Sequence, residues 1–208
     1  MITPLAVASP DTLLGWMRER RSIRRYRSDV IPRGLIDRLI ESARWAPSAH
    51  NRQPWRFVVL EEPARRIALA AAMGERLRAD RLADGDAADV VECDVARSRA
   101  RIASAPAVIV ACCTLADMDV YPDARRAAAE RTMAVQSTAM ALQNLLLVAH
   151  AEGLGACWMC APLFCPDTVR TALDLPPDWE PQALVTLGYP ATQGLRRERR
   201  PLTEIVRA

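Results

Sequence analysis

One stretch gathers side chains that rarely meet in a connection. Trp45-Ala-Pro-Ser-Ala-His-Asn-Arg-Gln-Pro-Trp-Arg-Phe57 holds two Trp, two Pro, a Ser, an Asn, a Gln and one of the chain's two His. Most links between regular elements are short polar spacers. Here Pro47 and Pro54 restrict the backbone and push the residues before them toward extended conformations. Asn51 and Gln53 supply amide donors and carbonyl acceptors. The set suits a rigid wall against a flat, polar-edged ligand, and it also suits a turn rich in packing aromatics. A second group is Arg18-Glu-Arg-Arg-Ser-Ile-Arg-Arg-Tyr-Arg27, where Arg20, Ser22 and Arg24 fall on alternate positions. In extended chain, alternate side chains share a face. Two guanidinium groups and a hydroxyl on one face make a phosphate clamp; the other reading is a solvated basic helix end.

Other arrangements carry less chemistry. Cys157-Trp-Met-Cys160 has the spacing of a redox dithiol or half a zinc site, yet it falls inside an apolar strand-like run and has no second pair, so core thiols are expected and no metal. No Gly-rich phosphate loop of the dinucleotide or Walker type is present. With only His50 and His150, no Ser-His-Asp arrangement can be assembled. A chain poor in acid–base groups but rich in arginine clusters suits a protein whose cofactor carries the chemistry.

Several elements must position these groups. Asp11 can cap a first helix with Leu13, Leu14 and Met17 at helical spacing. Pro32 can open a second, with Leu35, Ile36, Leu39, Ile40 and Ala43 in one stripe. Strand Trp55–Leu60 follows, then helices over 63–104 broken near Gly74 and Gly85. Ala107–Cys113 reads as a central strand. The longest helix is expected from Ala127 to Glu152. Its Met133, Gln136, Met140, Gln143 and Leu147 suggest cover on several sides, and His150 reads as a structural residue at its end. A strand over Ala156–Cys160, a helix from Pro166 to Leu175 and a strand over Ala183–Tyr189 complete the order. The tail is polar at first and ends in Leu202, Ile205 and Val206, so it is expected to cross a surface and anchor again.

At 208 residues with a net charge of +3, one domain spanning 1–208 is expected. All the positive charge is arginine, since the chain has no lysine. No long basic, aromatic-studded patch favours nucleic acid. Runs such as Ala105–Cys113 are too short to span a bilayer, and Met1–Pro10 lacks the features of a signal peptide. Six cysteines, mostly in apolar runs, fit reduced buried thiols and a cytoplasmic location.

Taken in order, Arg20–Arg24, Ala46–Phe57, Gly153–Met159, Leu187–Pro190 and Arg197–Leu202 resemble the FMN-dependent nitroreductases from end to end. The resemblance implies an α+β fold with a mainly antiparallel central sheet flanked by helices, in an intertwined homodimer. It implies FMN as cofactor, with NAD(P)H as candidate electron donor. Arg20, Arg21, Ser22, Arg24, Arg197 and Arg199 would hold its phosphate and ribityl groups. Pro47, Ser48 and Ala49 would cover the flavin of the neighbouring subunit, and Asn51 and Gln53 are further candidate cofactor contacts. Met159 and Cys160 would lie beside its ring. His50, Arg52, Arg56 and Arg125 are candidates for a small-molecule substrate, with His50 the one candidate catalytic side chain.

A closer similarity lies in Tyr121–Arg126, Ala129–Met133, Phe164–Arg170 and Leu175–Pro181, which resemble the C-terminal, FMN-binding domain of the FbiB family of coenzyme F-420 biosynthesis. That implies reduction of the enolpyruvyl double bond of dehydro-F-420-0. The family's N-terminal glutamate-ligase domain has no counterpart in the chain, so a free-standing reductase is expected. A general NAD(P)H-dependent nitro- or quinone reductase, and a non-catalytic flavin- or deazaflavin-binding protein, are the alternatives.

Overall fold

The protein is described from a computed structural model covering residues 9–207. Most of the N-terminal stretch read as lacking a signal peptide lies outside the described residues. Helix α1 (Pro10–Glu19) is capped by Ser9, whose Oγ accepts the Thr12 N–H at 3.2 Å, so the cap is not Asp11. Helix α2 (Arg33–Arg44) starts one residue after Pro32, which is its N-cap. Strand β1 (Trp55–Leu60) is followed by α3 (Pro63–Ala83) and α4 (Ala88–Ala103). Gly74 does not break α3. A Cβ there would come within 2.8 Å of Arg99, so the glycine lets α4 lie close. The break falls at Gly85, with φ +86°.

Strand β2 (Ala107–Cys113) is buried along its whole length. Helix α5 (Ala124–Ala151) starts three residues before the expected Ala127, because Asp123 accepts the Arg126 N–H and caps it. Strand β3 (Gly155–Met159), helix α6 (Pro166–Leu173), strand β4 (Glu180–Gly188) and the short α7 (Leu202–Ile205) follow. Pro181 lies inside β4. It is tolerated at the register shift opposite Ala111 and Cys112, where Gln182 is extra.

The four strands run β1-β2-β4-β3, every pair antiparallel. Alternation along β2 sends Ile109 and Ala111 toward α2 and α5, while Val108, Val110 and Cys112 face α3 and α6. Helices cover both faces, which is why β2 reads as an unbroken apolar run. By length and composition α5 could cross a membrane, contrary to the expectation that no segment is long enough. Its apolar character is spread over many alanines and not gathered in one run. In this fold Leu142, Leu145 and Ala149 of α5 pack on the sheet.

Candidate functional site

Past α1 the chain runs extended along the outer edge of β3. Ile23 N–H bonds the Ala156 carbonyl at 3.0 Å, Arg27 N–H bonds the Tyr189 carbonyl at 2.9 Å, and Ile23 is buried. Arg20, Ser22 and Arg24 are thereby set on the opposite side, as their spacing predicts. Tyr26 locks this segment down. Its hydroxyl lies 2.5 Å from the Ile23 carbonyl and 2.7 Å from Thr186 Oγ1, and burial pushes its ionisation far above the ordinary tyrosine range. The sequence reading missed the Tyr26–Thr186 clasp, because nothing local links residues 160 positions apart.

After β4 the chain returns beside the same segment. Ala191 N–H bonds the Arg25 carbonyl at 3.0 Å, and a Cβ on Gly194 would lie 2.3 Å from that of Arg21. The two arginine clusters therefore line one open groove, with Arg18, Arg20, Arg21, Ser22, Arg24 and Arg25 on one wall and Arg196, Arg197 and Arg199 on the other. Glu198 is the one acidic residue in its lining. Among the described residues, none of these eight arginines has a carboxylate partner, whereas most others in the chain do. Partial burial, then the charges of Arg199 and Arg21, make Arg20 easier to deprotonate than an ordinary arginine. Arg21 turns its guanidinium back to the Arg18 and Arg20 carbonyls, at 2.5 and 2.9 Å, so it braces the wall. Such a concentration of uncompensated positive charge calls for a multiply charged anion.

The loop that joins α2 to β1 lies elsewhere. Residues 45–54 sit at the start of β1, across the sheet from β3, and none of them lines the groove. Trp55 is buried, but Trp45 is 73% exposed, which argues against a turn held by two packed indoles. His50, Asn51 and Gln53 have φ of 50°, 55° and 49°. Three non-glycine residues in the left-handed region mark a loop whose shape is imposed by its surroundings. Ser48 Oγ accepts the Gln53 N–H at 3.1 Å and Ser137 Oγ of α5 accepts the Ala49 N–H at 3.2 Å. Arg52 and Arg56 are not free guanidiniums, since they pair with Asp119 and Asp117 at 2.5 and 3.5 Å. Arg125 is exposed on α5, and His50 is exposed in the loop before β1.

Met159 ends β3, and Cys160 lies outside the strand, exposed, where its Sγ accepts the Trp158 Nε1–H at 3.0 Å. The expectation of a core thiol thus fails for Cys160 but holds for Cys157, which is buried. Cys112 and Cys113 are core thiols, pushed up by burial to about 12 and about 11. His150 stacks on Trp16, ring centroids 5.3 Å apart, as a structural residue at the end of α5. The tail does not anchor on its own chain: Leu202, Ile205 and Val206 are all exposed there.

A model of the nitroreductase family matches residues 17–189. The chain belongs to the nitroreductase family. It is 34% identical to an NADH dehydrogenase of Thermus thermophilus, over 90% of this chain and 91% of that protein. It is 31% identical to a 5,6-dimethylbenzimidazole synthase of Rhodospirillum rubrum, over 95% and 86%. A protein from Desulfovibrio desulfuricans, described as a nitroreductase and solved in complex with FMN, matches this nitroreductase-family fold with a TM-score of 0.72 at 26% identity, covering 96% of each chain. The antiparallel α+β architecture expected from the motifs is the one observed.

Proposed function

We propose that this chain is an FMN-dependent reductase, fed by NAD(P)H and working as a cytoplasmic homodimer, whose acceptor is the enolpyruvyl double bond of dehydro-F-420-0. The observation that carries the flavin assignment is the groove of eight arginines that have no carboxylate partner among the described residues. Its donor set fits a phosphate: Arg20, Arg24, Arg197 and Arg199 supply planar forks and Ser22 a hydroxyl. From Ala156, beside the clamp, to Cys160 is about 13 Å at ~3.3 Å per residue, a length suited to a flavin nucleotide lying along β3. Met159 and Cys160 would then flank the ring, and FMN would supply the two-electron hydride chemistry.

The lid supports the dimer. It stands at the β1 edge, three strand spacings of ~4.8 Å from β3, so Pro47, Ser48, Ala49, Asn51 and Gln53 suit a flavin held by the other subunit. Exposed Met140, Gln136 and Gln143 on α5 supply a face for that subunit. His50, Arg52, Arg56 and Arg125 would meet the acceptor. Support for this acceptor comes from the FbiB-like segments 121–126, 164–170 and 175–181.

A second reading, a general nitro- or quinone reductase, is favoured by the likeness to the Thermus NADH dehydrogenase and by the pairing of Arg52 and Arg56. Anaerobic turnover of the flavin-loaded protein with dehydro-F-420-0 tests the first reading. A saturated product by mass spectrometry is expected. Absence of that product beside brisk NAD(P)H-driven reduction of a quinone would assign the second, and bound flavin with no turnover of either would leave a binding protein.

A further inference from the structure

Two groups of arginines in this chain differ in how their charge is met. Those of the groove have no carboxylate partner among the described residues. Those of the lid rim are already answered: Arg52 Nη2 donates to Asp119 Oδ1 at 2.5 Å, and Arg56 Nη2 lies 3.5 Å from Asp117 Oδ2. Both carboxylates belong to the loop after β2, which is tied to the lid by the Thr114 N–H on the Pro54 carbonyl at 2.9 Å. Asp119 is also fixed from behind. Glu130 of α5, only 3% exposed, accepts the Asp119 backbone N–H on Oε1 at 3.1 Å. A buried carboxylate is costly to keep, and the hydrogen bond it makes here holds Asp119 facing Arg52.

We propose that Asp119, seconded by Asp117 and held by Glu130, sets the charge selectivity of the acceptor site. The inference rests on reading the lid rim as the surface that meets the acceptor. With both pairs in place Arg52 and Arg56 add no net charge to the rim. A carboxylate or phosphate on an acceptor must displace Asp119 to reach Arg52, or engage Arg125, which has no ion pair among the described residues. A neutral acceptor meets no such competition. Asp119 thus acts through Arg52, and Glu130 is a positioning residue for Asp119.

The test uses flavin-loaded wild type and Asp119→Asn, driven by NAD(P)H, with para-nitrobenzoate and para-nitrobenzamide, which share a reacting group and differ in charge. Asparagine keeps the shape and the backbone bond to Glu130. For the benzoate, KM is expected to fall about two- to fivefold, the scale of one exposed ion pair. Its kcat and both constants for the amide should not change. The gain should shrink as salt is added and vanish when Arg52→Ala is combined with Asp119→Asn. Equal shifts for both acceptors, or none, overturn the proposal. Flavin content and bleaching by NAD(P)H are read in the same samples. A flavin that binds and bleaches while wild type reduces neither acceptor overturns the proposal, and the reductase reading is then decided separately by turnover of dehydro-F-420-0 and of a quinone.

Discussion

At the scale of single residues, the groove depends on guanidiniums that have no carboxylate partner among the described residues, Glu198 being the one acid in the lining. Arg24→Ala or Arg199→Ala should weaken FMN binding by roughly tenfold to a hundredfold, since each removes a charge-assisted bond worth about 1.5–3 kcal/mol. Titration of the apoprotein with FMN, beside an unchanged far-ultraviolet spectrum, measures this; full affinity in both variants would refute the clamp. His150 gives a prediction in pH. Burial, and then the charge of Arg20, lower its pKa below the ordinary 6.5, and Glu19 opposes them. The unfolded chain therefore binds the proton more readily. The stabilisation is complete above about pH 6.5 and is lost as pH falls toward the folded pKa. His150→Phe, which keeps a ring against Trp16, should show a smaller loss of Tm between about pH 7.5 and about pH 5.5 than wild type. Much at this scale was legible in the sequence. The alternation of Arg20, Ser22 and Arg24 needed only the period of an extended chain. The Arg52–Asp119 pair was not legible, because it joins residues 67 apart that only the fold brings together.

At the scale of elements, two helices end in the same way with different residues. Past α5, Gly153 takes φ +74°; its N–H bonds the His150 carbonyl at 3.1 Å and the Leu154 N–H bonds Ala149 at 2.8 Å. Past α6, Asp174 takes φ 52°; its N–H bonds the Thr171 carbonyl at 3.4 Å and the Leu175 N–H bonds Arg170 at 3.0 Å. Both are Schellman closures, which place one residue in the left-handed region. Glycine occupies that region without a Cβ penalty, and aspartate does not. Gly153→Ala should therefore destabilise by about 1 kcal/mol and Asp174→Gly stabilise by about 0.5–1 kcal/mol in urea unfolding. Shifts of the same sign in both would contradict this account. The glycine was readable as a helix stop. The break assigned to Gly74 was misplaced, because a glycine within a helix can serve close packing as well as termination.

For the whole molecule, the surfaces left uncovered speak to assembly. Leu13, Leu14 and Met17 of α1, Met140 of α5, and Leu202 and Ile205 of α7 are exposed in the single chain. Amphipathic spacing showed that α1 has an apolar side, but not what lies against it. On a free surface Met140→Glu would change stability by no more than about 0.5 kcal/mol. Within the proposed homodimer it buries an unpaired charge and should weaken association at least about tenfold. Sedimentation over a dilution series decides between the two. The strand order was likewise not legible, since β4 lies between β2 and β3 only through long-range pairing.

Helix α5 touches both halves of the candidate site: Ser137 holds the lid through Ala49, and His150, 13 residues on, stacks beneath the arginine wall on Trp16. At 1.5 Å per residue those anchor points are about 20 Å apart on one rigid rod. Inserting or deleting a single residue between them would swing one anchor by about 100° relative to the other. That segment is therefore closed to changes of length, whereas the turn at Asp84–Ala87 can grow or shrink with the helical hairpin it joins. Variation in length among related chains should concentrate at that turn, with residues 137–150 constant in spacing even where their identities drift.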